Sequence, residues 1–242
     1  MKESEIIHKG NLILKNTPTK NIDNDTLKKI SKIWESELKK NNKKLFNGKA
    51  FSLVKTTPYS NYFEVEGEFI DYKTILADRK YPALNLEINQ IGVSGLTVIK
   101  EKNDSFVLFS IRTKSTTEYP EYFELVPSGN LDQSVLQKDE IIDYKSKIIQ
   151  EFEEETGLDK KFLDAVSTIG LVRDNINRVY DVVCLLELSN KLEMLRSSFK
   201  KVSEYKQPLF IKVENLEDFL AENSKKIVPT SKAIIQLHFF DN

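Results

Sequence analysis

The chain has 242 residues, 40% hydrophobic and 10% aromatic, enough for one large domain or for an average one with an extension. Its formal net charge of -1 gives no imbalance that would point to nucleic acid or an acidic surface. The single cysteine, Cys184, excludes intramolecular disulfides and any multi-cysteine zinc site. Residues 1–5 hold no apolar signal core and no run reaches membrane-span length, so a soluble cytoplasmic protein with no nucleic-acid or membrane partner is expected.

The first 85 residues differ in texture from the rest. Ile13-Leu14 lies in a short strand-like run. Residues 23–26 (Asp-Asn-Asp-Thr) offer N-caps for a helix whose Leu27, Ile30, Trp34 and Leu38 recur at helical intervals. That helix should end within residues 39–42, and Trp34 on its apolar stripe is expected to serve the core. Residues 51–54 and 62–67 read as strands and 71–76 as a short helix or turn. This region is expected to be a small α+β extension, 1–85, serving as a substrate lid or for dimerisation.

From Leu86 the pattern is that of a sheet with helices at intervals. Residues 92–99 and 106–111 are expected strands around the turn at 102–104, and 123–126 a third strand leading into a Pro127-Ser128-Gly129 turn. A helix over 141–156 follows, then a hairpin of 168–172 and 179–188 around residues 174–177. A last strand at 209–213 and two short helices near 216–221 and 231–239 close the chain. Cys184, in the apolar run 182–186, is expected to be a buried strand residue, and His238 to be structural.

The chemistry concentrates in Gln150-Glu151-Phe152-Glu153-Glu154-Glu155-Thr156-Gly157-Leu158. Residues three and four apart are neighbours on a helix, so Glu151, Glu154 and Glu155 project together, while Phe152 points away with Ile148 and Ile149. Such oxygen ligands suit Mg²⁺. The string resembles the core of the Nudix box, R-E-U-x-E-E-x-G-U with U apolar. The resemblance covers 86–242, where the order of elements is also that of the Nudix α/β/α sandwich with a mixed sheet.

Two departures mark this chain. Its best box glycine, Gly129, precedes Gln150 by 21 positions where the pattern has 14, and Gln150 replaces the arginine. The box's upstream glutamate falls at Ile142, flanked by Glu140 and Asp143, either of which could take its part. Further words, at 33–38, 45–51, 92–95 and 124–129, resemble the uridine diphosphate glucose pyrophosphatase branch.

The resemblance implies a Nudix pyrophosphohydrolase, monomeric or homodimeric, with Mg²⁺, or Mn²⁺ in its place, held by Glu151, Glu154 and Glu155. Glu154 and Glu155 would be catalytic, joined by Glu204 before the last strand. Arg112, a forked donor for phosphate, with Gly129 and Arg178, would bind substrate; Arg173, Tyr119 and Tyr122 are weaker candidates. The expected reaction is hydrolysis of a nucleoside diphosphate linked to another group, UDP-glucose or UDP-galactose giving UMP and a hexose 1-phosphate. The alternatives are an ADP-ribose or dinucleotide pyrophosphatase, and a non-catalytic nucleotide-binding or regulatory module of the same fold.

Overall fold

The computed structural model describes residues 2–19, 21–40, 45–199 and 205–240. They form a mixed eleven-stranded sheet with helices on its faces, and the main path of the sheet runs β1 (Ser4–Lys9), β9 (Ala165–Asp174), β10 (Val179–Ser189), β5 (Gln90–Glu101), β3 (Lys49–Pro58), β4 (Phe63–Asp71), β2 (Leu12–Asn16). Its centre is β5 (Gln90–Glu101) and β10 (Val179–Ser189), parallel and in unbroken register from Gln90 beside Val179 to Lys100 beside Ser189.

The layers follow from alternation along β10. Side chains of a strand point to opposite faces in turn; here Val182, Cys184, Leu186 and Leu188 enter one buried cluster, whereas Val183 enters another. A strand apolar on both sides must be covered on both. On one face α3 (Tyr144–Thr156) supplies Ile148 and Phe152. On the other α6 (Pro229–Ile235) supplies Ala233, Ile234 and Ile235, with Leu216 from α5 (Leu216–Glu222).

The hairpin of β9 (Ala165–Asp174) and β10 forms as expected, and Asp174 shapes its turn by accepting from the backbone N–H of Ile176 at 2.8 Å. β6 (Asp104–Arg112), β7 (Phe123–Leu125) and β11 (Tyr205–Lys212) match the expected strands. Cys184 is fully buried, and burial pushes its thiol up to about 12.

The described residues among the first 85 share this sheet. β1 (Ser4–Lys9) pairs with β9, β2 (Leu12–Asn16) with β4 (Phe63–Asp71), and β3 (Lys49–Pro58) bridges β4 to β5 through Ser52 and Gln90. α1 (Asn24–Lys40) begins where expected, Asp23 accepting from the N–H of Thr26 at 2.9 Å, and packs on α2 (Tyr72–Lys80). Trp34 is half-buried there, edge-on to Tyr72.

Three expectations are corrected. Ser128 and Gly129, expected in a turn with Pro127, belong instead to β8 (Ser128–Asn130), paired antiparallel with β5. α3 starts at Tyr144 and not at 141, because Asp143 caps it by accepting from the N–H of Ser146 at 3.0 Å while Ile142 bridges to Leu136 in extended form. β1 and α4 (Leu192–Ser198) were not anticipated.

Candidate active site

α3 places the box. Its C-terminus is closed by Gly157 in the left-handed region at φ 75°, where a side chain would be strained, with the Gly157 N–H donating to Glu153 at 3.0 Å. Ile148 and Phe152, one turn apart and fully buried, anchor the helix to the sheet. Glu151 and Glu155 therefore face β8, while Glu154 is exposed.

The three glutamates have different surroundings. Glu151 lies over Gly129 so closely that a Cβ at position 129 would overlap its carboxylate, so glycine is what lets helix and strand approach here. It is ion-paired to the buried Lys147 at 2.8 Å, and Lys147 Nζ is also 3.6 Å from Asp132. Burial works against the Lys147 charge, but the Glu151 hydrogen bond and the nearby carboxylates outweigh it and hold its pKa above the ordinary range. Glu155 is 5% exposed and accepts from the Ser128 N–H at 3.3 Å. Glu154 accepts from the Gln150 amide at 2.8 Å. Their donor chemistry suits a hard divalent ion. In geometry they are dispersed, and among the described residues no three His, Cys, Asp or Glu side chains gather as a ready metal cage.

Beside β8 opens a cavity of about 580 Å³, within the range of small-molecule sites. It is lined by Gly92, Ser94, Ser128, Gly129 and Asn130 and, from the amino-terminal region, by Phe46, Gly48, Lys49, Ala50, Tyr72 and Arg79. Arg79 pairs with Glu118 and donates to Gln90 Oε1 at 2.7 Å, which turns the Gln90 amide to donate to Asn130 Oδ1 at 2.6 Å. Arg112, also on the wall, is paired with Glu124 and donates to the Glu118 carbonyl at 3.1 Å. Tyr205 donates to Glu124 at 2.9 Å and lies 3.0 Å from the Ser128 hydroxyl, so a hydrogen-bonded chain joins the Arg112 wall to the backbone that meets Glu155.

Asp181 is buried on the cavity wall, and desolvation pushes its carboxyl up to about 7, opposed by hydrogen bonds from Thr230 and Ser94 and reinforced by the charge of Glu124. The sign follows directly. Above the ordinary 3.8 the unfolded chain releases this proton while the folded one holds it, so stability falls as pH rises until about 7. Asp181→Asn is expected to flatten the pH dependence of Tm over that window; melting curves as steep in pH as those of the wild type would refute it.

The structure brings Arg112, Gly129 and Tyr119 to the cavity, Tyr119 donating to Asp174 at 2.6 Å. Arg178 is not in its lining and donates to Asp78 at 2.8 Å; Arg173 is 3.4 Å from Glu5. Glu140 accepts from Asn16 and Asp143 is the α3 cap, so both are engaged away from the box glutamates. His238 is edge-on to Phe239, and burial lowers its pKa. Glu204 lies outside the described residues. Sequence reading missed Lys147, Asp132, Arg79, Gln90, Asn130 and Asp181; only Lys147, four before Glu151, carried a local signal.

No protein-family model matches the chain, and a search of curated proteins finds no match. Among solved structures it is similar to DR0079 from Deinococcus radiodurans, 13% identical with a TM-score of 0.46 over 66% of this chain and 89% of that one. A C. elegans Ap4A hydrolase is 16% identical, with a TM-score of 0.41 over 60% of this chain and 91% of that one. The Nudix domain of Shewanella oneidensis NrtR, solved with ADP ribose, is 12% identical, with a TM-score of 0.41 over 61% and 84%. Likeness at this level decides nothing about the reaction.

Proposed function

We propose that the chain is a Nudix-type pyrophosphohydrolase acting on a nucleoside diphosphate linked to a second group. The observation that carries this reading is the meeting of the box helix with the cavity: Glu151 sits on Gly129 and Glu155 on Ser128, and both of those strand residues line the cavity. The lining holds more carboxylates than cations, so a diphosphate entering it needs added positive charge. A divalent ion held by Glu151, Glu154 and Glu155 would supply that charge and acidify the attacking water.

The chain's own groups would orient the substrate. Arg112 is held at the wall by Glu124 and by the Glu118 carbonyl, which pre-organises its guanidinium for a phosphate. The Arg79-Gln90-Asn130 chain fixes amides for a sugar or base. The amino-terminal region acts as the cavity's wall, and this supports a lid over the substrate in preference to a dimerisation role.

UDP-glucose and UDP-galactose, giving UMP and a hexose 1-phosphate, are the first substrates to try, ahead of ADP-ribose and dinucleotides. The support is the branch-like words, one of which, at 45–51, supplies Phe46, Gly48, Lys49 and Ala50 to the cavity. A second reading, a module that binds nucleotide without hydrolysing it, is favoured by Gln150 and by the Lys147 pairing of Glu151. A panel of UDP-sugars, ADP-ribose, dinucleotides and nucleoside triphosphates, assayed in Mg²⁺ with calorimetry alongside, separates the two. Turnover of a nucleoside diphosphate derivative is expected; binding heat without turnover would select the module.

A further inference from the structure

The cation missing at position 150 has a substitute one turn upstream. The Lys147 side chain is only 10% exposed, and its ammonium lies between Glu151 at 2.8 Å and Asp132 at 3.6 Å. A buried ammonium is costly unless paired, and these carboxylates pair it. The consequence falls on Glu151, the box carboxylate packed over Gly129 beside the cavity: a positive charge of the chain's own already neutralises it.

We propose that Lys147 is the resident counter-ion of the box, competing with a divalent cation for Glu151 and so setting the metal affinity of the site. The inference rests on the reading of Glu151 as a metal ligand. Asp132 gives the competition a mechanism, since it offers the ammonium a second carboxylate to keep when a metal ion takes the first. An opposite charge within about 4–6 Å of a carboxylate shifts its ionic equilibrium by about one to three powers of ten. An ion on Glu151 would share that carboxylate with Lys147, so removing the lysine charge should tighten binding by at least about tenfold.

The test is a Mn²⁺ titration of the full chain without nucleotide, free Mn²⁺ being read by electron paramagnetic resonance. Lys147→Met is expected to bind Mn²⁺ at least about tenfold more tightly than the wild type, and Lys147→Arg, which keeps the charge, to stay within about twofold. A Met variant that binds as the wild type does or more weakly, or no Mn²⁺ bound by any form, overturns the proposal. If Lys147→Met fails to fold, Lys147→Gln is read in its place; if neither folds, Lys147 serves the core and the proposal falls. The hydrolase reading is judged apart from this. Wild-type turnover with no Mn²⁺ shift sinks only the counter-ion role, whereas tightened Mn²⁺ binding with no wild-type turnover sinks only the hydrolase.

Discussion

Glu155→Gln is expected to lower kcat by about 10³-fold, the scale on which one pre-organised electrostatic group at a reacting centre acts. The side chain is 5% exposed and accepts the Ser128 N–H at 3.3 Å. A glutamine keeps both its volume and an acceptor for that bond while removing the charge. Tm should stay within about 4 °C of the wild type, since the Ser128 N–H keeps an acceptor. Steady-state hydrolysis and thermal melting on the same preparation check both halves. A variant that melts like the wild type and turns over like it would remove Glu155 from the chemistry.

Phe152→Ala is expected to cost about 3–5 kcal/mol of unfolding free energy in urea titration, the range for emptying a buried aromatic position. Phe152 is fully buried, in the same cluster as Val93, Leu186 and Ile148, and it fixes the helix that carries Glu151 and Glu155. Activity should fall with stability, because a loosened α3 no longer holds those carboxylates against β8. Lys145→Ala, on the exposed side of the same helix, should change stability by no more than about 0.5 kcal/mol. A Phe152→Ala cost as small as that would mean that α3 is not anchored as described.

The strongest elements were legible in sequence for a physical reason. β6 and β10 are short runs rich in β-branched, aromatic and aliphatic residues, which favours strand, and α3 combines helical apolar spacing with a glycine stop. Pro127-Ser128-Gly129 reads as a turn because these residues have little strand propensity; the pairing of β8 with Gly92, Val93 and Ser94 of β5 is imposed by tertiary contact. β1 lies at the end of the sheet's main path and is largely polar, so its alternation was weak. Ile141 and Ile142 read as helical by their apolarity, although Asp143 is the better cap.

The site divides in the same way. The box glutamates could be found from one short string, but the cavity is assembled from α2, β3, β5, β8, β10 and the loop between β6 and β7, and no local spacing joins Arg79 to Gln90, Asn130 or Asp181. The Lys147-Glu151 pair is the exception. Its i,i+4 spacing was present in the sequence, and with it the positive charge that position 150 lacks.

The central claim, that the acidic helix and its cavity hydrolyse a diphosphate bond, is tested most directly by phosphorus NMR of the folded chain with UDP-glucose. With Mg²⁺ the two coupled diphosphate signals should give way to those of UMP and glucose 1-phosphate, and excess chelator should stop the conversion. Diphosphate signals that persist unchanged, for UDP-glucose and for every other nucleoside diphosphate derivative tried, with the protein folded throughout, would contradict it.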